Sequence, residues 1–162
     1  MYYPRKVEQE GNPLSGKRVA KVKIKSDGDV FHELWKSLQL QIPSMTPTTF
    51  QSCQTLGGQV GIVGCVILWN YFLDGKDCFA KTQIVDIDSE KKSITYKLLD
   101  GDLANQYETL VVNIRVEADG LENLVTWTAE YEKLSPDVPD PDTLMDFYIK
   151  ATKEIETRLL QN

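Results

Sequence analysis

The feature that most constrains this chain is the stretch from Phe50 to about Leu134. There, runs rich in β-branched and aromatic residues are repeatedly cut by glycine and aspartate. The cuts fall at Gly57-Gly58 and Gly61, Asp74-Gly75, Asp88-Ser89-Glu90, Asp100-Gly101-Asp102 and Asp119-Gly120. Glycine and aspartate tolerate the backbone angles that tight hairpins require, so this punctuation predicts an antiparallel meander of about six strands. Two runs also alternate: Ile94, Tyr96 and Leu98 with Thr95 and Lys97, and Leu110, Val112, Ile114 and Val116 with Asn113, Arg115 and Glu117. Each such strand has one buried face.

What flanks the meander completes the order. Val19, Val22 and Ile24 stand among lysines and Arg18, which predicts a first strand with one wet face. Ser26-Asp27-Gly28-Asp29 then breaks the strand, and Asp27 or Asp29 can cap a helix carrying Phe31, Leu34 and Trp35 on one face. Pro43 interrupts the chain, and Ser44 or Thr46 followed by Pro47 reads as a second helix start. After Pro136, Pro139 and Pro141, with Asp140 or Asp142 as cap, the stripe Leu144, Phe147, Tyr148, Ala151, Ile155 and Leu159 predicts a long final helix. The expectation is an α+β fold: a seven-stranded curved antiparallel sheet, two short helices after its first strand and one long C-terminal helix to cover its apolar face. A helix of about 10 Å diameter cannot fill a concave face of that width, so either large side chains fill the rest or a cavity remains.

The chain of 162 residues is one ordinary domain in size, with 41% hydrophobic and 26% charged residues. Its net charge of -6 repels phosphate backbones and anionic surfaces, which argues against nucleic acid as a partner. Three cysteines (Cys53, Cys65 and Cys78) and one histidine fit neither a disulfide framework nor a Cys/His metal site, so no metal or cofactor is expected. Residues 1–16 have no apolar period and read as a flexible N-terminal extension ahead of one domain over 17–162. No stretch looks like a signal peptide or reaches spanning length, so a cytoplasmic protein with reduced thiols and no membrane insertion is expected.

The segments KIKSDGDVFHELWK, GIVGCVILWNYFLDGK, YKLLDGD and VTWTAEYEKLSPDVPDPDTLMDFYIKATKEIE, in that order, resemble the major latex proteins of the birch-pollen-allergen, class ten pathogenesis-related superfamily. The resemblance runs from about Gly16 to Leu160. It implies the helix-grip fold, in which the sheet wraps the last helix and encloses an apolar cavity. It also implies a small hydrophobic ligand of the steroid, flavonoid, hormone or fatty-acid class, and an association with defence or stress. Two alternatives stay open: an isomerase or cyclase of specialised metabolism, as some relatives are, and a ligand-dependent signalling module. The extension departs from the family, whose members usually begin just before the first strand.

Strand parity and helix stripe supply candidate ligand-binding residues: Val66, Leu68, Ile94, Tyr96, Val112 and Ile114 from the sheet, and Phe31, Trp35, Leu144, Phe147, Tyr148, Ala151 and Ile155 from the helices. Each reads equally as plain core. Tyr96 is expected to line the cavity with a hydroxyl able to orient a ligand, and Lys81 to face solvent. His32 has no second catalytic group nearby and reads as a solvent-facing or helix-packing residue, so no catalytic residue is assigned. Leu56-Gly57-Gly58-Gln59-Val60-Gly61 lacks the Lys-Ser or Lys-Thr of a nucleotide-binding loop and reads as a tight turn.

Overall fold

The computed structural model describes residues 13–161. Seven strands, β1 (Ser15–Ile24), β2 (Phe50–Gly57), β3 (Val66–Leu73), β4 (Lys76–Asp88), β5 (Ser93–Gly101), β6 (Tyr107–Asp119) and β7 (Glu122–Lys133), form one antiparallel sheet in the order β1-β7-β6-β5-β4-β3-β2. Between β1 and β2 lie α1 (Gly28–Lys36), a single 3-10 turn (Gln39–Gln41) and α2 (Ile42–Met45), and α3 (Asp142–Leu159) closes the chain. The expected architecture is therefore the observed one. Strand β1 starts at Ser15, two residues before the expected domain boundary, and Lys133 N donates to Leu14 O at 2.8 Å. The rest of the expected extension, residues 1–12, lies outside the described residues.

Local chemistry explains the element ends. Asp27 caps α1, its Oδ1 accepting from the amides of Asp29 (2.7 Å) and Val30 (3.3 Å). The second helix is a correction: Pro43 does not interrupt the chain but stands in the first turn of α2, where a missing amide is harmless, and Thr46 ends that helix. The Thr46 hydroxyl bonds back to Ile42 O at 3.0 Å, so the Ser44/Thr46-Pro47 start does not form. Nor does Asp140 or Asp142 cap α3 by its side chain: Pro141 is the cap residue. The Asp140 carboxylate instead accepts from the Tyr131 hydroxyl (2.7 Å) and pairs with Arg18 (2.8 Å) and Lys133 (3.1 Å), which holds its pKa below the usual carboxylate range.

In β1 the inward positions are Ala20, Val22 and Ile24, while Val19 sits with the lysines on the wet face and is 49% exposed. The glycines act as the turn chemistry requires. Gly58 has φ +76°, and a Cβ there would come within 2.9 Å of the Cys65 backbone; at Gly101, φ +129°, it would come within 2.2 Å of Phe79 O. The glycine-rich segment is thus a close-packed hairpin connection between β2 and β3.

The long helix lies along the edge strand β1 and also touches β3 and β7. Two of its carboxylates clasp the segments that flank the short helices. Glu156 accepts from Lys25 N, Ser26 N (3.2 Å) and the Ser26 hydroxyl, just after β1. Glu154 accepts from Thr48 N (3.0 Å) and from the hydroxyls of Thr48 and Thr49 (2.6 Å each), just before β2. Because β1 and β2 are the two edges of the sheet, these bonds tie both ends of the curved sheet to one helix.

Candidate functional site

The concave face of the sheet and the underside of α3 enclose a cavity of about 60 Å³. Six of the seven strands, α1 and α3 contribute to its wall. Strands β2 to β4 supply Phe50, Trp69, Tyr71, Ala80 and Thr82; β5 to β7 supply Tyr96, Leu98, Leu110, Val112, Ile114 and Trp127. Leu103 comes from the turn before β6, Trp35 from α1, and Leu144, Phe147 and Tyr148 from α3. None of these is an aspartate, glutamate, lysine, arginine or histidine. The void is small beside the roughly 300–1,000 Å³ of pockets that hold drug-sized molecules. Of the two ways to satisfy the concave face, large side chains account for most and a cavity for the remainder.

Those side chains form one aromatic network. Trp35 lies 5.1 Å from Trp127, 5.7 Å from Phe50 and 5.8 Å from Trp69, centroid to centroid; Phe147 lies 5.0 Å from Phe50 and 5.4 Å from Tyr71. Trp127 stacks on Tyr148 at 4.2 Å with nearly parallel rings. Most of these contacts are tilted or edge-to-face, the arrangement the ring quadrupoles favour.

Of the residues expected to touch a ligand, Trp35, Tyr96, Val112, Ile114, Leu144, Phe147 and Tyr148 stand on the cavity wall. Phe31, Ile94, Ala151 and Ile155 are buried but belong to the solid core, the first two where α1 rests on β5 and β6. Val66 and Leu68 are a correction. They lie on the opposite face of β3 from Ile67, Trp69 and Tyr71, which are buried at 1%, 5% and 3% exposure. The run VILWNYFL is apolar at nearly every position, so it shows no alternation from which to take a phase.

Hydrogen bonding separates the polar groups of the wall. The Tyr96 hydroxyl donates to Trp35 O, so it is already taken and does not point a free group at the void. The indole N–H of Trp127 donates to Thr152 Oγ1 (2.9 Å) and that of Trp69 to Thr82 Oγ1 (3.1 Å). Trp35 Nε1 and Tyr71 Oη, both fully enclosed, have no hydrogen-bond partner among the described residues. Burial raises the pKa of Tyr71, Tyr96 and Tyr148, so all three phenols stay neutral. Lys81 alternates with the wall residues Ala80 and Thr82 and so faces outward.

A model of the pathogenesis-related protein Bet v 1 family matches residues 13–162. The chain belongs to this family. Within the Bet v 1 family it is similar to the major latex proteins: MLP-like protein 31 of Arabidopsis thaliana is 34% identical over 155 residues, covering 94% of this chain and 91% of the relative. MLP-like protein 43 of the same plant is 35% identical over 153 residues, covering 93% and 97%. Among solved structures, ginseng major latex-like protein 151 from Panax ginseng superposes with a TM-score of 0.89 at 43% identity, over 91% of this chain and 99% of that one. Ara h 8.0201, at 17% identity and a TM-score of 0.73 over 91% of this chain and 99% of that one, shares the Bet v 1 helix-grip fold. The resemblance read from the four sequence blocks is thereby confirmed.

Outside the cavity, His32 is buried rather than solvent-facing. Its Nε2 lacks a partner, and desolvation, with Lys36 nearby, lowers its pKa. The three cysteines are free thiols whose pKa values burial raises, that of Cys53 to about 12. Among the described residues no group of three or more His, Cys, Asp or Glu side chains is placed to hold a metal ion, and no helix is long and apolar enough to cross a membrane.

Proposed function

We propose that this major latex protein is a cytoplasmic carrier that holds a small apolar molecule in the cavity between its sheet and α3, in the service of defence or stress responses. The observation that carries this reading is the wall itself: an internal void lined almost wholly by aromatic and aliphatic side chains drawn from β2 to β7, α1 and α3. Moving an apolar compound from water onto such a wall is favourable without any specific polar contact. Acid–base turnover gains no comparable support, because the ionisable groups on the wall are tyrosines whose pKa values lie above the usual range.

Because Trp35, Trp69 and Trp127 all line the void, intrinsic fluorescence is a direct reporter of occupancy. The test is to purify the protein natively, extract it with organic solvent, identify the compound by mass spectrometry and titrate it back. Saturable quenching at one molecule per chain and a raised melting midpoint are expected; at one hundred times Kd the stabilisation is about 2.7 kcal/mol. An extract with no lipophile, together with no response to a broad panel of apolar compounds, overturns the reading.

A further inference from the structure

We infer that the cavity selects an uncharged ligand carrying an acceptor oxygen on an otherwise apolar frame, anchored by Trp35 Nε1 and Tyr71 Oη; this rests on the carrier reading. Both residues stand on the cavity wall and are 2% and 3% exposed, and both polar atoms are wholly buried without a partner. A buried polar group without a hydrogen bond is costly and rare in folded proteins. Here the pattern is selective, since the neighbouring polar groups are satisfied within the protein: Trp69 by Thr82, Trp127 by Thr152, Tyr96 by the Trp35 carbonyl. The two wholly buried atoms left over belong to residues that line the same void.

The chemistry of these atoms limits what can satisfy them. An indole N–H only donates, so the ligand must offer it an acceptor; a phenol can donate or accept. A carboxylate would offer acceptors too, but no cationic side chain among the described residues lines the wall to compensate its desolvation. An amine would meet no anion. A neutral carbonyl, ether or hydroxyl oxygen on an apolar skeleton can accept from either the indole N–H or the phenol O–H and leaves no charge buried.

Three near-isosteric probes test this: acetophenone, α-methylstyrene, in which a methylene replaces the carbonyl oxygen, and benzoate. Titration with wild type and Tyr71→Phe is read by tryptophan fluorescence, and the indole N–H signals are followed by NMR. The expected result is that the Kd ratio of acetophenone to α-methylstyrene shifts about three- to tenfold toward α-methylstyrene in Tyr71→Phe, the worth of one neutral hydrogen bond. The Trp35 N–H moves downfield with acetophenone more than with α-methylstyrene, the Trp69 and Trp127 N–H signals do not, and benzoate does not bind. An unchanged ratio in Tyr71→Phe, a Trp35 N–H that responds alike to both neutral probes, or benzoate binding as tightly as acetophenone overturns the anchor assignment while the cavity reading stands. Failure of all three probes to bind wild type overturns the anchor assignment; the carrier reading falls with it only when the native extract and the broad panel are negative too.

Discussion

A tyrosine hydroxyl with no partner should weaken the protein that carries it. Deleting the Tyr71 hydroxyl by Tyr71→Phe removes a buried, unpaired polar group and leaves the ring contact with Phe147 at 5.4 Å in place. We therefore expect ligand-free Tyr71→Phe to gain about 1 kcal/mol, or roughly 2–4 °C in melting midpoint for a chain of this size. A lowered midpoint in calorimetry would mean that the hydroxyl is satisfied in the free protein. His32 is the second residue whose environment sets a measurable dependence. Its folded pKa lies below the ordinary value of about 6.5, so the unfolded chain binds more protons wherever the two differ. Stability from keeping His32 neutral is thus present above about pH 6.5 and is lost as pH falls from there through the folded pKa. The melting midpoint should fall as pH drops below about 6.5, and should fall less in His32→Gln; equal slopes in the two proteins would show that His32 does not titrate with folding. Tyr71 was not legible in the sequence because a hydroxyl's partner is a fact of tertiary structure. Tyr96 stands in a clearly alternating strand, yet its hydroxyl is taken by a carbonyl sixty-one positions away.

At the scale of elements, α3 acts as a clasp as well as a cover. Glu154 accepts three hydrogen bonds from Thr48 and Thr49, and Glu156 three from Lys25 and Ser26. Hydrogen bonds to charged groups contribute about 1.5–3 kcal/mol each, less at the partly exposed end of that range. Glu154→Ala and Glu156→Ala should each cost about 1–2 kcal/mol, seen as a lower urea midpoint at unchanged slope. Glu154→Asp, one methylene too short, should recover little; full stability in all three variants would show the clasps to be surface decoration. The order of elements was legible because turn residues and periodicity act locally, and β5, β6 and α3 carry clean patterns. The phase of β3 was not, because Val66 to Leu73 is apolar on both faces and only the packing of Trp69 and Tyr71 against the core decides which side turns inward. The clasps were equally hidden: Glu154 and Glu156 lie on the polar side of the helix stripe, and nothing in their spacing distinguishes a solvated carboxylate from one that reaches a neighbouring loop.

The whole molecule is a sheet curved around a helix with an incompletely filled centre. A protein interior is ordinarily packed to the density of an organic crystal, and a void among large apolar side chains forfeits dispersion contacts. The 60 Å³ left among eight aromatic rings is therefore a destabilising feature in the free protein and a favourable one for a guest. Compounds larger than the void enter only by rotating some of those rings, so tight ligands of greater size should bind slowly and those that fit the void as it stands should bind fast. The family-level expectation of an apolar cavity came from the four sequence blocks, whereas its small volume depends on how Trp35, Trp69, Trp127 and Phe147 interleave. Whether a guest occupies this void is decided by calorimetric titration of acetophenone into wild type and Ala80→Leu, a substitution that places three more carbons on the cavity wall. Saturable one-to-one binding is expected for wild type and none for a folded Ala80→Leu whose melting midpoint is close to that of wild type; equal binding to both proteins would place the ligand outside the cavity.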